Sequence, residues 1–160
     1  MSQRLLNLND PRYRRPTMQI GAVKGILDIG EDEVIALIEE GSLVAWNIAL
    51  PGAERRELRV LTQTVALAQA RMVSSGSARS GAQLITEKET FTLLFPHAKP
   101  FVTGTEAQRM LNCGSTHVIR LVNEGCLEQC KGSKYRRGPN GSPAITRESF
   151  EGFLRERVEC

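Results

Sequence analysis

Residues 20–61 and 104–145 carry one pattern twice, at a constant offset of 84 positions and without a gap. Ile26-Leu27-Asp28-Ile29-Gly30 answers Met110-Leu111-Asn112-Cys113-Gly114. Val34-Ile35-Ala36-Leu37-Ile38-Glu39-Glu40-Gly41-Ser42-Leu43 answers Val118-Ile119-Arg120-Leu121-Val122-Asn123-Glu124-Gly125-Cys126-Leu127, and Leu61-Thr62 answers Ile145-Thr146. A repeat outranks other signals, because both copies must form the same supersecondary unit. Each copy has the length of a small domain, which makes this a tandem duplication and not a solenoid. Domains so small have thin cores, so the copies are expected to support one another or to pair with another chain.

The second copy shows the unit more clearly. Thr103-Gly104-Thr105-Glu106 has capping-box spacing, a hydroxyl at the N-cap and a carboxylate three residues on. Ala107, Met110 and Leu111 follow at helical spacing. Asn112-Cys113-Gly114 breaks the helix, and a second one runs from Ser115 with Val118, Ile119, Leu121 and Val122 as its apolar face. Gly125 suits the left-handed residue that ends it. Two short helices joined by a tight turn form a helix-turn-helix, whose second helix is the one able to enter a major groove. Next come Leu127 and a polar, basic stretch from Lys131 to Pro143, in which Pro139-Asn140-Gly141-Ser142 is turn chemistry. Thr146 to Leu154 reads as a capped helix with Phe150, Phe153 and Leu154 on one face.

Helix, turn, helix, β-hairpin, helix resembles the excisionase-type, MerR-like winged helix-turn-helix family. The family's Thr-x-x-Glu-Ala start falls on Thr103 to Ala107, its Leu-Leu pair on Met110-Leu111 and its small-residue turn on Asn112 to Gly114. Its polar recognition helix falls on Ser115 to Val122, its Glu-Gly-x-Leu on Glu124 to Leu127, its basic hairpin on Lys131 to Arg137 and its closing helix on Thr146 to Leu154. The resemblance covers residues 101–156 and, in the first copy, about Met18 to Met72, where Gln19 and Ala22 replace the capping Thr and Glu. It implies a mainly α chain with small β-hairpin wings (α+β), built as tandem winged helix-turn-helix modules. The expected organisation is a basic N-terminal arm (1–18), module 1 (19–72), a linker with a short helix (73–100) and module 2 (101–160). The linker opens on the flexible run Ser74 to Gly81. Thr86-Glu87-Lys88-Glu89 then starts a short capped helix carrying Phe91, Leu93, Leu94 and Phe95, expected to pack on one module or the other.

Charge is unevenly spread. The net formal charge is only +3, yet residues 1–18 hold four Arg against Asp10, residues 19–70 hold four basic residues against eight acidic, and module 2 holds nine against seven. A clustered basic face matters more for nucleic acid than the total. In module 2, Ser115, Thr116, His117 and Arg120 are expected on the exposed face of the recognition helix, where short polar groups distinguish base edges. Lys131, Lys134, Tyr135, Arg136 and Arg137 form a basic wing around one aromatic, suited to phosphates and the minor groove. Module 1 differs, because its second helix opens Glu31-Asp32-Glu33. Those acids complement the helix dipole but repel phosphates. Module 1 is therefore expected to touch DNA through its wing (Arg55, Arg56, Arg59) and the upstream arm (Arg12, Arg14, Arg15), or to offer its acidic face to a protein.

Other chemistries are poorly supported. Cys113, His117, Cys126 and Cys130 have zinc-like spacing, but the equivalents in the first copy are Ile29, Glu33, Ser42 and Trp46, so the fold needs no ligands there. Cys113 is expected in the core and His117 outside it. His97 lies in a proline-flanked loop, no phosphate-cradling glycine loop exists, and the serines lack a nearby base. No catalytic set, metal or cofactor is expected. Trp46 is expected to cover the small core. The chain has neither a long apolar run nor a signal-peptide core, which leads to the expectation of a cytoplasmic, nucleoid-associated protein without membrane contact.

The resemblance implies a double-stranded DNA-binding protein, in role like an excisionase (a recombination directionality factor) or a phage or plasmid transcriptional regulator. Such a protein works beside a recombinase or polymerase and can stack as a homo-oligomer on DNA. Two tethered modules would address neighbouring half-sites. The alternatives are a protein-interaction adaptor and a DNA-packaging or replication-initiation subunit that reuse the same fold.

Overall fold

The computed structural model describes residues 11–79, 85–95, 99–130 and 144–159, with the side chains of 11 and 12 left out. The described residues form a mixed α/β protein of seven α-helices and small antiparallel sheets. In the first half, β1 (Thr17–Gln19) leads into α1 (Ile20–Leu27), α2 (Glu31–Glu39), β2 (Ala45–Asn47), β3 (Leu58–Leu61) and α3 (Thr62–Ser75). α4 (Glu87–Leu94) follows. The second half is β4 (Phe101–Val102), α5 (Gly104–Leu111), α6 (Ser115–Asn123), β5 (Ile145–Thr146), α7 (Arg147–Arg157) and β6 (Val158–Glu159).

The duplication is present in the backbone as well as in the sequence. The bounds of α1 and α2 fall on those of α5 and α6 at the repeat offset. Asp28 (φ 55°) and Asn112 (φ 48°) both end the first helix of the pair in the left-handed region. Asn and Asp are the non-glycine residues that adopt this conformation most readily, so the turn survives without glycine there. Gly41 (φ 87°) and Gly125 (φ 79°) play the matching part after the second helix. The helix starts differ as their residues require. Thr103 and Glu106 close a full capping box on α5, whereas Gln19 gives α1 no side-chain cap.

The two halves are one body. Trp46, Ile48 and Leu61 from the first half share a continuous core with Val102, Met110, Leu111, Val118, Leu121, Phe150, Phe153 and Leu154 from the second. α4 joins that core through Leu94 and Phe95, and Phe95 meets Phe150 edge-on at 5.8 Å between ring centroids. A second core lies wholly within the first half, around Met18, Val23, Leu27, Val34, Leu37 and Val60.

The sheets go beyond hairpin wings. β1 and β2 flank β3, and β6 from the C-terminal end pairs with β2 (Ala45↔Glu159, Trp46↔Val158), giving the order β1-β3-β2-β6. In the second half, β4 pairs with β5 (Val102↔Ile145). The expected arm therefore ends inside a sheet, with Thr17 and Met18 buried. The segment between the helix pairs contributes to the shared core through Leu94 and Phe95, and so is more than a tether. Shared apolar surface explains the docking: a small module buries too little area alone.

Candidate nucleic-acid interface

α6 presents one free face. Val118 and Leu121 are fully buried, while Ser115, Thr116, Ile119, Arg120 and Asn123 are exposed at the spacing of a single helical face. Ser115, Thr116 and Arg120 stand where the sequence predicts them. Ile119 does not: expected on the apolar core face, it is 39% exposed in the middle of the polar strip. The packing of Val118 and Leu121 rotates it outward. Asn123 extends the strip by a turn, one residue beyond the Ser115–Val122 span of the expected recognition helix.

The same positions on α2 carry opposite chemistry. Glu31, Asp32, Ile35, Ala36 and Glu39 occupy the places of Ser115, Thr116, Ile119, Arg120 and Asn123. Glu31, Asp32 and Glu39 are exposed, and they face a groove shared with Arg55 and Arg56 of the β2–β3 loop. One duplicated face therefore bears three carboxylates, and the other bears a single cation with neutral donors and acceptors.

Two expected contact residues serve the joint between the halves instead. His117 is not exposed: its side chain is 18% accessible, its Nε2 lies 2.6 Å from the Ile48 carbonyl and its Nδ1 lies 3.8 Å from Glu57. A carbonyl only accepts, so Nε2 carries the proton and donates. Arg59 is 5% exposed. Its Nε donates to the Asn112 carbonyl at 3.1 Å, Nη1 to the Leu58 carbonyl at 3.1 Å and Nη2 to Glu57 at 3.0 Å. Nε satisfies the carbonyl of the left-handed Asn112 turn while the rest of the fork is taken up by Leu58 and Glu57, so Arg59 is withdrawn from any phosphate.

Further bonds tie the two halves together. Thr17 Oγ1 donates to the Met110 carbonyl near the end of α5 at 2.6 Å, and Arg157 Nη1, at the end of α7, to the Ala49 carbonyl at 2.8 Å. Module 1 thus covers one flank of α6 and fixes its orientation, and the opposite face stays open. Arg55 and Arg56 remain exposed on the β2–β3 loop, Arg56 pairing with Glu159 at 3.1 Å. Arg14 and Arg15 are exposed just before β1. The side chain of Arg12, and all of Lys131, Lys134, Tyr135, Arg136 and Arg137, lie outside the described residues.

Cys113 is partly buried against the core, and burial above all pushes its thiol up to about 11. Among the described residues no three His, Cys, Asp or Glu side chains gather as a metal site. His117, the one histidine in the zinc-like spacing, is committed to Ile48. Trp46 is 3% exposed and covers the shared core, as expected from its place in the repeat. No helix among the described residues is long and apolar enough to cross a membrane.

No protein-family model matches the chain, and no curated protein and no solved structure matches it. Its class rests on architecture alone: a duplicated helix-pair protein of mixed α/β type, with one acidic and one polar copy of the same exposed helix face.

Proposed function

We propose that this is a tandem winged helix-turn-helix protein that binds double-stranded DNA through α6, in role like an excisionase or a small transcriptional regulator. The observation that carries this reading is the open strip Ser115, Thr116, Ile119, Arg120 and Asn123 on a helix whose other sides are packed. Hydroxyl, amide and guanidinium groups distinguish base edges in a major groove, and an exposed apolar side chain among them suits a thymine methyl. Module 1 acts as a rigid mount. Its own equivalent face carries Glu31, Asp32 and Glu39, which oppose a phosphate backbone.

The test begins by selecting the preferred duplex from a random pool with the full chain. Arg120→Ala is expected to weaken binding to that duplex by about 1–3 kcal/mol and to relax preference at one base pair. Unchanged affinity and unchanged base preference would remove α6 from the reading role.

The acidic face of α2 favours a second role in the same molecule, a docking surface for a basic patch on a protein such as a recombinase or polymerase. A complex formed through that face alone would survive loss of Arg120.

A further inference from the structure

We propose that a cleft built jointly by the two halves, lined by Arg14, Arg15 and Arg109, clamps one phosphate of the duplex backbone beside the start of α6. This rests on the DNA-binding reading above and assigns it an anchoring site. The cleft is open, about 910 Å³, which suits a passing sugar–phosphate strand better than a sealed ion. Its walls are Arg14, Arg15, Thr105, Gln108, Arg109, Cys113 and Gly114, with no carboxylate among the described residues that line it.

The backbone beneath these arginines is held in place. Thr62 Oγ1 donates to the Arg15 carbonyl at 2.6 Å, and the Thr62 amide donates to the Pro16 carbonyl at 2.9 Å. Arg109 Nη2 donates to the Arg14 carbonyl at 3.2 Å, which draws the α5 side chain to the arm. Several of the other described arginines meet carboxylates: Arg56 with Glu159, Arg59 with Glu57, Arg79 with Glu40, Arg147 with Glu151 and Arg155 with Glu87. Three arginines lining one cleft with no carboxylate among its described walls give it a positive potential that favours an anion. Burial keeps the Cys113 thiol neutral, so it adds no negative charge.

The position favours a backbone phosphate over an unrelated anion. The cleft reaches Gly114, the N-cap of α6, where no side chain caps the helix. It therefore adjoins Ser115 and Thr116, the first residues of the proposed reading face. The first copy has no equivalent: Gly21, Lys24 and Gly25 replace Thr105, Gln108 and Arg109 at the repeat offset. The clamp belongs to the module whose face is not acidic.

The test compares the salt dependence of duplex binding by the full chain, the Arg14→Gln/Arg15→Gln/Arg109→Gln variant, and Thr105→Glu. Thr105 is exposed in the first turn of α5, where an acid suits the helix dipole, so Thr105→Glu is expected to keep the fold while setting a carboxylate one helical turn from Arg109 to compete with a phosphate. Both variants are expected to bind roughly five- to tenfold more weakly near 0.1 M salt, with the slope of log affinity on log salt smaller by about 0.9, the value for one phosphate. Wild-type binding with both variants unchanged in slope and affinity would overturn the clamp and leave the DNA-binding reading standing. Failure of the wild type to bind any duplex would overturn both.

Discussion

Replacing Trp46 by alanine is expected to cost about 3–5 kcal/mol, the usual loss for a large buried aromatic, and to lower Tm by roughly 6–20 °C for a chain of this size. Trp46 lies on β2 in the core shared by the two halves, and it pairs in register with Val158 of β6. Removing it opens a void where the halves meet, and the surrounding backbone is tied on both sides. The loss is therefore expected in both halves together, as a single transition by circular dichroism. Trp46 is the only tryptophan in the chain, so wild-type fluorescence reports on this joint and should melt together with the circular dichroism signal. Two separate transitions in the wild type would contradict the shared core.

Arg59→Ala is expected to destabilise by about 2–3 kcal/mol, as buried groups lose a charged hydrogen-bonding partner. Arg59 serves the Asn112 and Leu58 carbonyls and Glu57 at once. The Asn112 carbonyl sits in the turn that launches α6, so the loss also loosens the orientation of the exposed strip. Arg59→Lys retains the charge but not the planar fork, and should recover less than half of the loss. Arg59 read as a phosphate contact would behave differently: Arg59→Ala would weaken DNA binding with unchanged thermal stability.

Much of the secondary structure could be read from the residues. The repeat located both helix pairs, because helix caps and left-handed turns depend on a few local residues such as Thr103, Glu106, Asn112 and Gly125. Thr86 and Thr146 marked the starts of α4 and α7 for the same reason, each accepting from the backbone three residues on. The docking of the halves left no such local mark. β6 has only two residues, Val158 and Glu159, and nothing in them signals a strand until β2 is alongside.

The candidate site was legible only where exposure follows helical period. Ser115, Thr116 and Arg120 are exposed as expected, because Val118 and Leu121 fix the buried side of α6. Arg59 and His117 look like surface cations in a basic wing and on a polar helix face. Their partners, Asn112 and Ile48, lie in the opposite half, and such contacts have no sequence period. Arg109 is the converse case: a cation in the last turn of α5 with no local mark of a site, it gains one only where the fold brings Arg14 and Arg15 to the same cleft.

Amide hydrogen exchange on the full chain, with and without saturating selected duplex, most directly tests the claim that one copy of the duplicated face reads DNA while the other does not. Reading through α6 is expected to add protection across residues 115–123, with residues 31–39 unchanged. Protection confined to residues 31–39, or a saturated complex in which residues 115–123 exchange as they do in the free protein, would contradict it.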